Sequence, residues 1–163
     1  MRILYIHGLD SSPNPDRIGW LERAGHRVFA LHLDYRQQPD AFAILRGYAQ
    51  ANQIEFIVGS SLGGFLGFWL GEALGLPTLL FNPAMTMVRL DEARIDPNMP
   101  RRCPSRWVVL GAQDDTVDPF QNEAFFADPD NQVPYQRVVR CQWLGHQIDP
   151  DTFAAMARWA GLG

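Results

Sequence analysis

The chain has 163 residues, 47% of them hydrophobic and 20% charged, with a formal net charge of −4. That length suits one domain with its own core, so residues 1–163 are expected to fold as a single domain without disulfide or metal staples. The acidic balance, with no basic patch interleaved with aromatics, argues against a nucleic-acid partner, and the two cysteines, Cys103 and Cys141, read as reduced thiols of a cytoplasmic protein.

The opening MRILYIHG has neither the apolar stretch nor the cleavage site of a signal peptide. No apolar run reaches the roughly 18 residues that span a bilayer, so no membrane partner is expected. Ile3 to Ile6 reads as a buried strand ending at His7-Gly8. Asn14-Pro15-Asp16 has the form of a helix start, an N-cap followed by proline and an acid, and Gly25 stops that helix. Val28 to Leu33 reads as a second strand, and Ala41 to Ala51 as a helix with Phe42, Leu45, Tyr48 and Ala49 at helical spacing. Ile54 to Val58 is a third strand. Leu62 to Leu74, apolar nearly all round, predicts a buried helix ended by Gly75 and Pro77.

Thr78 to Phe81, Trp107 to Leu110 and Gln136 to Cys141 complete six strands, and Asp149-Pro150 caps a last helix with Phe153, Met156, Ala157 and Trp159 inward. Strand–helix alternation of this kind predicts an α/β fold, a mainly parallel sheet of about six strands with helices on both faces. Pro83 to Pro104 fits the alternation poorly; it reads either as a small lid or as a surface excursion holding a short helix. The pair Arg101-Arg102 reads as a solvated turn.

The strongest local signal is Gly59-Ser60-Ser61-Leu62-Gly63, a match to G-x-S-x-G between a strand and a helix. That is the setting of a nucleophile elbow, in which a sharp turn exposes the serine hydroxyl. Only Ser61, not Ser60, has glycine two residues to either side. The small neighbours are needed because backbone passes close to the turn. A serine hydroxyl needs a base. Of His7, His26, His32 and His146, only His146 lies after the sixth strand and before the last helix, at the carboxyl edge of the sheet where α/β folds bind ligands. A third group, a carboxylate, must hold the imidazole. Asp114, Asp115 and Asp118 follow the fifth strand and compete for the role, although Asp118 suits the cap of a helix starting near Pro119.

The oxyanion of acyl transfer needs two backbone N–H groups. Leu62, after the serine, provides one; Leu9, in the loop Tyr5-Ile6-His7-Gly8-Leu9-Asp10, is the candidate for the other. His7 then orients this loop and is not a second base. Asp10 either lines the site or caps a turn with Ser11 and Ser12.

Taken together, Tyr5-Ile6-His7-Gly8-Leu9-Asp10-Ser11-Ser12-Pro13, Gly59-Ser60-Ser61-Leu62-Gly63-Gly64, Asn82-Pro83-Ala84, Asp114 to Asp118 and Gly145-His146 resemble the YqiA-like small bacterial esterases of the α/β-hydrolase superfamily. The resemblance implies a compact α/β-hydrolase fold with a minimal cap and a triad of Ser61, Asp114 and His146, Asp114 standing at the family's G-x-x-D-x-x-V position. It implies hydrolysis of short acyl esters or thioesters, small-molecule substrates, without cofactor. Leu9-Asp10 replaces the family's Phe-Asn and adds a negative charge near the entrance, and Gly145-His146-Gln147 replaces its Asn-His-Ala/Asp. No HExxH or similar spacing calls for a metal. A hydrolase-fold binding or signalling module and an acyltransferase are the other readings of the same pattern.

Overall fold

Six strands pair side by side in one sheet, every pair parallel. They are β1 (Arg2–Ile6), β2 (Arg27–Ala30), β3 (Phe56–Ser60), β4 (Thr78–Phe81), β5 (Ser105–Gly111) and β6 (Tyr135–Cys141). The computed structural model describes all 163 residues. The strand order is β2-β1-β3-β4-β5-β6, so the chain steps outward from β1 to β2 and then crosses back to β3 on β1's other side. That reversal creates a switch point between the carboxyl ends of β1 and β3, the place where open α/β sheets bind ligands.

Right-handed crossovers put connecting helices on opposite faces once the winding direction reverses. Accordingly α1 (Pro15–Arg23) lies on one face, while α2 (Ala41–Ala51), α3 (Leu62–Leu74) and α4 (Pro119–Ala127) lie on the other. The last helix, α5 (Pro150–Trp159), returns to the first face and packs beside α1.

Period-two alternation along the strands feeds two cores. Leu4, Ile6, Ile57, Leu80, Val108 and Leu110 enter a cluster of 23 buried residues under α2, α3 and α4. Ile3, Tyr5, Phe56, Val58, Leu79, Phe81 and Val109 enter a cluster of 15 under α1 and α5. Where both faces are covered, as on β1, β3 and β4, the strands read as continuous apolar runs and not as alternating ones, while edge strand β6 stays largely exposed.

The helix starts are chemically explicit. Asn14 Oδ1 accepts from the Asp16 and Arg17 N–H groups, Asp118 from Phe120, and Asp149 from Thr152. Each satisfies amides that have no partner inside the first turn. Gly75 ends α3 in the left-handed region at φ 67°. No helix is long and apolar enough to cross a membrane.

Three sequence expectations change. The second strand stops at Ala30 instead of Leu33, because the Leu33 N–H is taken by the His7 ring at 3.0 Å. The third starts at Phe56, since the Ile54 N–H closes a turn onto the Ala49 carbonyl at 3.0 Å. Residues 83–104 hold no helix; they form successive turns that lie down on the larger core through buried Ala84, Met85 and Ile95.

α3 also carries a buried ion pair that its apolar pattern hid. Glu72 Oε1 accepts from Arg106 Nη2 at 2.5 Å, with both side chains almost fully excluded from water. Arg106 lies over the Phe68 ring at 3.8 Å. Arg101 is not simply a solvated turn residue: its Nε reaches Glu72 Oε2 at 3.3 Å and its guanidinium stacks over Trp69 at 4.8 Å.

Candidate active site

Ser61 ends the β3–α3 turn at φ 56° and ψ −121°, a left-handed backbone state that costs a non-glycine residue about 1–3 kcal/mol. The strain is held by close packing on every side. A Cβ on Gly59 would stand 2.3 Å from the Gly63 carbonyl oxygen, and one on Gly63 would stand 2.2 Å from the Ile6 oxygen. Both distances are impossible for a real side chain, so the two flanking glycines are steric requirements of the turn. The Ser61 carbonyl accepts from the N–H groups of Gly64, Phe65 and Ala84, and its own N–H donates to Phe81. The turn is thereby tied to β4 as well as to α3.

From this position the Ser61 hydroxyl donates to His146 Nε2 at 3.1 Å. On the far side of the ring, His146 Nδ1–H donates to Asp114, at 2.9 Å to Oδ2 and 3.1 Å to Oδ1. The Asp114 side chain is 1% exposed and the His146 side chain 16%. Asp114 Oδ1 also accepts from the N–H groups of Thr116 and Val117 at 2.8 and 2.9 Å. A buried carboxylate with this many donors is fixed in place, and it fixes the imidazole in turn. Neither of the other two acids joins this chain of contacts: Asp115 is exposed and reaches only the Thr116 hydroxyl, and Asp118 caps α4.

Leu62 is the first residue of α3, so its N–H has no carbonyl one turn back to bond to. The Leu9 N–H makes no backbone hydrogen bond. The loop that carries Leu9 is braced by His7, which is 1% exposed. His7 Nδ1–H donates to the Gly8 carbonyl at 2.7 Å, its Nε2 accepts from Leu33 N–H, and its own carbonyl accepts the Tyr35 hydroxyl at 2.7 Å. Burial holds the His7 ring below the ordinary value of 6.5, against the opposing pull of the Gly8 carbonyl, with nearby His32 adding to the lowering. Burial pushes the Tyr35 hydroxyl up, with Tyr5 adding to the rise, so it stays a donor.

Asp10 neither caps the turn with Ser11 and Ser12 nor leaves a bare charge at the entrance. Its carboxylate pairs with the Arg36 guanidinium through two hydrogen bonds of 2.8 and 2.7 Å, and that hydrogen bonding lowers the carboxyl below its ordinary value.

One residue had not been singled out for a structural role. Asn82, at φ 41° and 2% exposed, sits where β4 ends. Its Oδ1 accepts from Gly111 N–H at 2.7 Å, while its Nδ2 donates to the carbonyls of Gly145 and His146 at 2.9 and 3.1 Å. It pins the His146 loop to the end of β5, next to Asp114. The Asn82-Pro83-Ala84 motif was the only signal that could have found it.

One cavity opens at Ser61 and a second lies beside it, bordered by Leu62 and Leu9. The first, of about 100 Å³, is lined by Ser61, His146, Ser60, Gln147, Asn14 and Arg17 among others and is largely polar. The other, of about 190 Å³, is mainly apolar, with Leu9, Tyr35, Phe42, Leu62, Leu66 and Val88 on its walls. Tyr35, Val88 and their neighbours come from the 34–39 loop and the 83–104 segment.

Solved structures share this architecture. A monoacylglycerol lipase of Paleococcus ferrophilus superposes with a TM-score of 0.74 at 14% identity, over 99% of this chain and 95% of that one. Est1E from Butyrivibrio proteoclasticus gives 0.69 at 11% identity, over 97% and 86%. The mouse alpha/beta hydrolase domain-containing protein 10 gives 0.70 at 15% identity, over 99% and 88%. At such identities the likeness establishes the fold, that of the α/β hydrolases. Residues 2–124 match the sequence model of the Uncharacterised protein family (UPF0227), three quarters of the chain and all of the segment from β1 through the Ser61 turn to α4, and the chain is therefore a member of UPF0227, the YqiA-like family.

Proposed function

We propose that this protein is a serine hydrolase that cleaves carboxylic esters or thioesters of small acyl substrates through an acyl-enzyme. Ser61 is the nucleophile, His146 the general base and acid, and Asp114 the group that holds the imidazole. The observation that carries this reading is the unbroken chain from the Ser61 hydroxyl through both ring nitrogens of His146 to buried Asp114, starting from a serine in strained backbone.

His146 Nε2 takes the Ser61 proton as Oγ attacks the acyl carbonyl. The carbonyl oxygen becomes negative and rests against the N–H groups of Leu62 and Leu9. Removing such a donor typically costs 10²–10³ in turnover, about 2.7–4 kcal/mol. The tetrahedral intermediate then collapses: the bond to the leaving oxygen or sulfur breaks, and the His146 proton goes to that atom. Water, deprotonated by His146, repeats the attack on the acyl-enzyme, and Ser61 regains its proton. Asp114 stays ionised throughout and steadies the imidazolium. No step draws on a metal or cofactor.

The test is covalent labelling by a fluorophosphonate, which modifies only an activated serine. Labelling at Ser61 in the wild type, lost in Ser61→Ala and His146→Ala, supports the reading. A folded wild type that neither labels nor cleaves any acyl ester overturns it.

A further inference from the structure

The polar cavity beside Ser61 contains a cation without a counter-ion. Arg17, the third residue of α1, is half-buried. Its guanidinium is held by neutral groups: Nη1 donates to the Tyr5 hydroxyl and Nη2 to the Ile148 carbonyl, both at 3.0 Å. The Phe153 ring lies 5.8 Å away. No carboxylate comes within ion-pairing distance of Arg17, unlike Arg36, Arg89 and Arg94, whose charges are matched at the surface. None of the residues lining the cavity is acidic.

Two neutral acceptors fix the fork without neutralising it, and its other N–H groups have no protein partner. A guanidinium so prepared suits a planar or tetrahedral oxyanion, bound through parallel hydrogen bonds. Asp10, which follows the lining residue Leu9, is already paired with Arg36.

The position of the base decides which half of a substrate meets Arg17. His146 Nε2 must deliver its proton to the leaving atom, so the leaving group lies on the His146 side. His146 lines the small polar cavity with Arg17 and is absent from the apolar one. Moreover, Arg17 is bonded to Ile148, two residues beyond His146. The apolar cavity, beginning at Leu62, is left for the acyl chain.

We propose that Arg17 binds an anionic group on the leaving alcohol or thiol, so that the favoured substrates are acyl esters or thioesters whose leaving group carries a carboxylate or phosphate. This rests on the serine-hydrolase reading.

The experiment uses matched butyryl esters: glycolate against glycolamide for the carboxylate, glycerol phosphate against glycerol for the phosphate. The expected result is a kcat/KM preference of roughly 10–100-fold for at least one charged member over its neutral partner, the range for a hydrogen bond to a charged group. That preference collapses toward unity in Arg17→Met and is retained in part in Arg17→Lys. The ratio is unaffected by any loss common to both esters, so an altered fold does not mimic the effect. Equal rates on charged and neutral esters, or a preference that survives in Arg17→Met, overturn the inference while leaving the hydrolase reading intact. A wild type that cleaves none of the four and resists fluorophosphonate overturns both.

Discussion

Replacing Glu72 with alanine strands the Arg106 guanidinium. In the native protein Arg106 is 0% exposed, and its acceptors are Glu72 Oε1 at 2.5 Å and the Asn131 carbonyl at 3.1 Å. Without Glu72 the charge keeps one neutral acceptor and the face of Phe68. Its neighbour Arg101, a third exposed, can turn to water, but Arg106 cannot. Breaking a buried pair by removing one partner costs about 3–5 kcal/mol. For a chain of this size each 1 kcal/mol shifts Tm by about 2–4 °C, so Glu72→Ala is expected to lower Tm by roughly 6–20 °C. The double variant Glu72→Leu/Arg106→Met removes both charges and keeps apolar volume. It should recover most of that loss, since apolar replacement of a buried pair is often neutral or stabilising. Thermal and urea unfolding of the two variants and the wild type measure both effects. The reasoning is refuted if Glu72→Ala costs less than about 1 kcal/mol, or if the double variant is no more stable than the single one.

Other outcomes follow from the geometry. Asn82→Ala leaves the buried Gly111 N–H without its acceptor and frees the His146 loop; it should cost about 1–3 kcal/mol and lower kcat more than it raises KM, with steady-state kinetics as the check. Gly63→Ala should prevent folding of the turn, because its Cβ meets the Ile6 oxygen at 2.2 Å, whereas Gly47→Ala in α2 meets nothing within 4 Å and should add about 0.5–1 kcal/mol in a melting comparison. His7 gives the fold an acid limb. Its folded value lies below the ordinary 6.5, so between the two the unfolded chain binds more protons. Its contribution is complete above pH 6.5 and is lost as pH falls through that window toward the folded value. His7→Gln, keeping an acceptor for Leu33, should flatten the slope of unfolding free energy on the acid side of pH 6.5.

How much was legible follows from the range of each interaction. Strands such as Ile3 to Ile6 and Thr78 to Phe81 announce themselves because burial on both faces leaves an uninterrupted apolar run. The caps at Asn14, Asp118 and Asp149 are equally plain, being bonds within three residues. What the sequence hid is long-range. Leu33 leaves β2 because of a ring 26 residues earlier, and Asp10 finds Arg36 across the same gap. Glu72 in an apolar helix has no local explanation; its partner is 34 residues away on β5. Asn82 bonds to Gly111 and to the loop 63 and 64 residues beyond it, so its role exists only once β4, β5 and the His146 loop stand together. At the candidate site, spacing left three acids open, and the family pattern singled out Asp114. Of the three, Asp114 is the one that lies within hydrogen-bond distance of the His146 ring, at 2.9 Å.

The sheet divides the molecule into unequal halves, and Ser61 and His146 belong to different ones. Ser61 is mounted on α3, which is anchored in the core of 23 residues, while the His146 loop runs into α5, which belongs to the core of 15. Arg17 rides with the smaller half as well, on α1. Partial opening of the α1–α5 layer, the side with less apolar surface to lose, would separate His146 from Ser61 while the sheet and α3 persist. On the proposed serine-hydrolase reading, hydrolytic competence would thus act as a gauge of whether the two layers are docked. It should vanish earlier in a denaturant titration than helical circular dichroism, with amides of α1 and α5 exchanging deuterium ahead of those in α3.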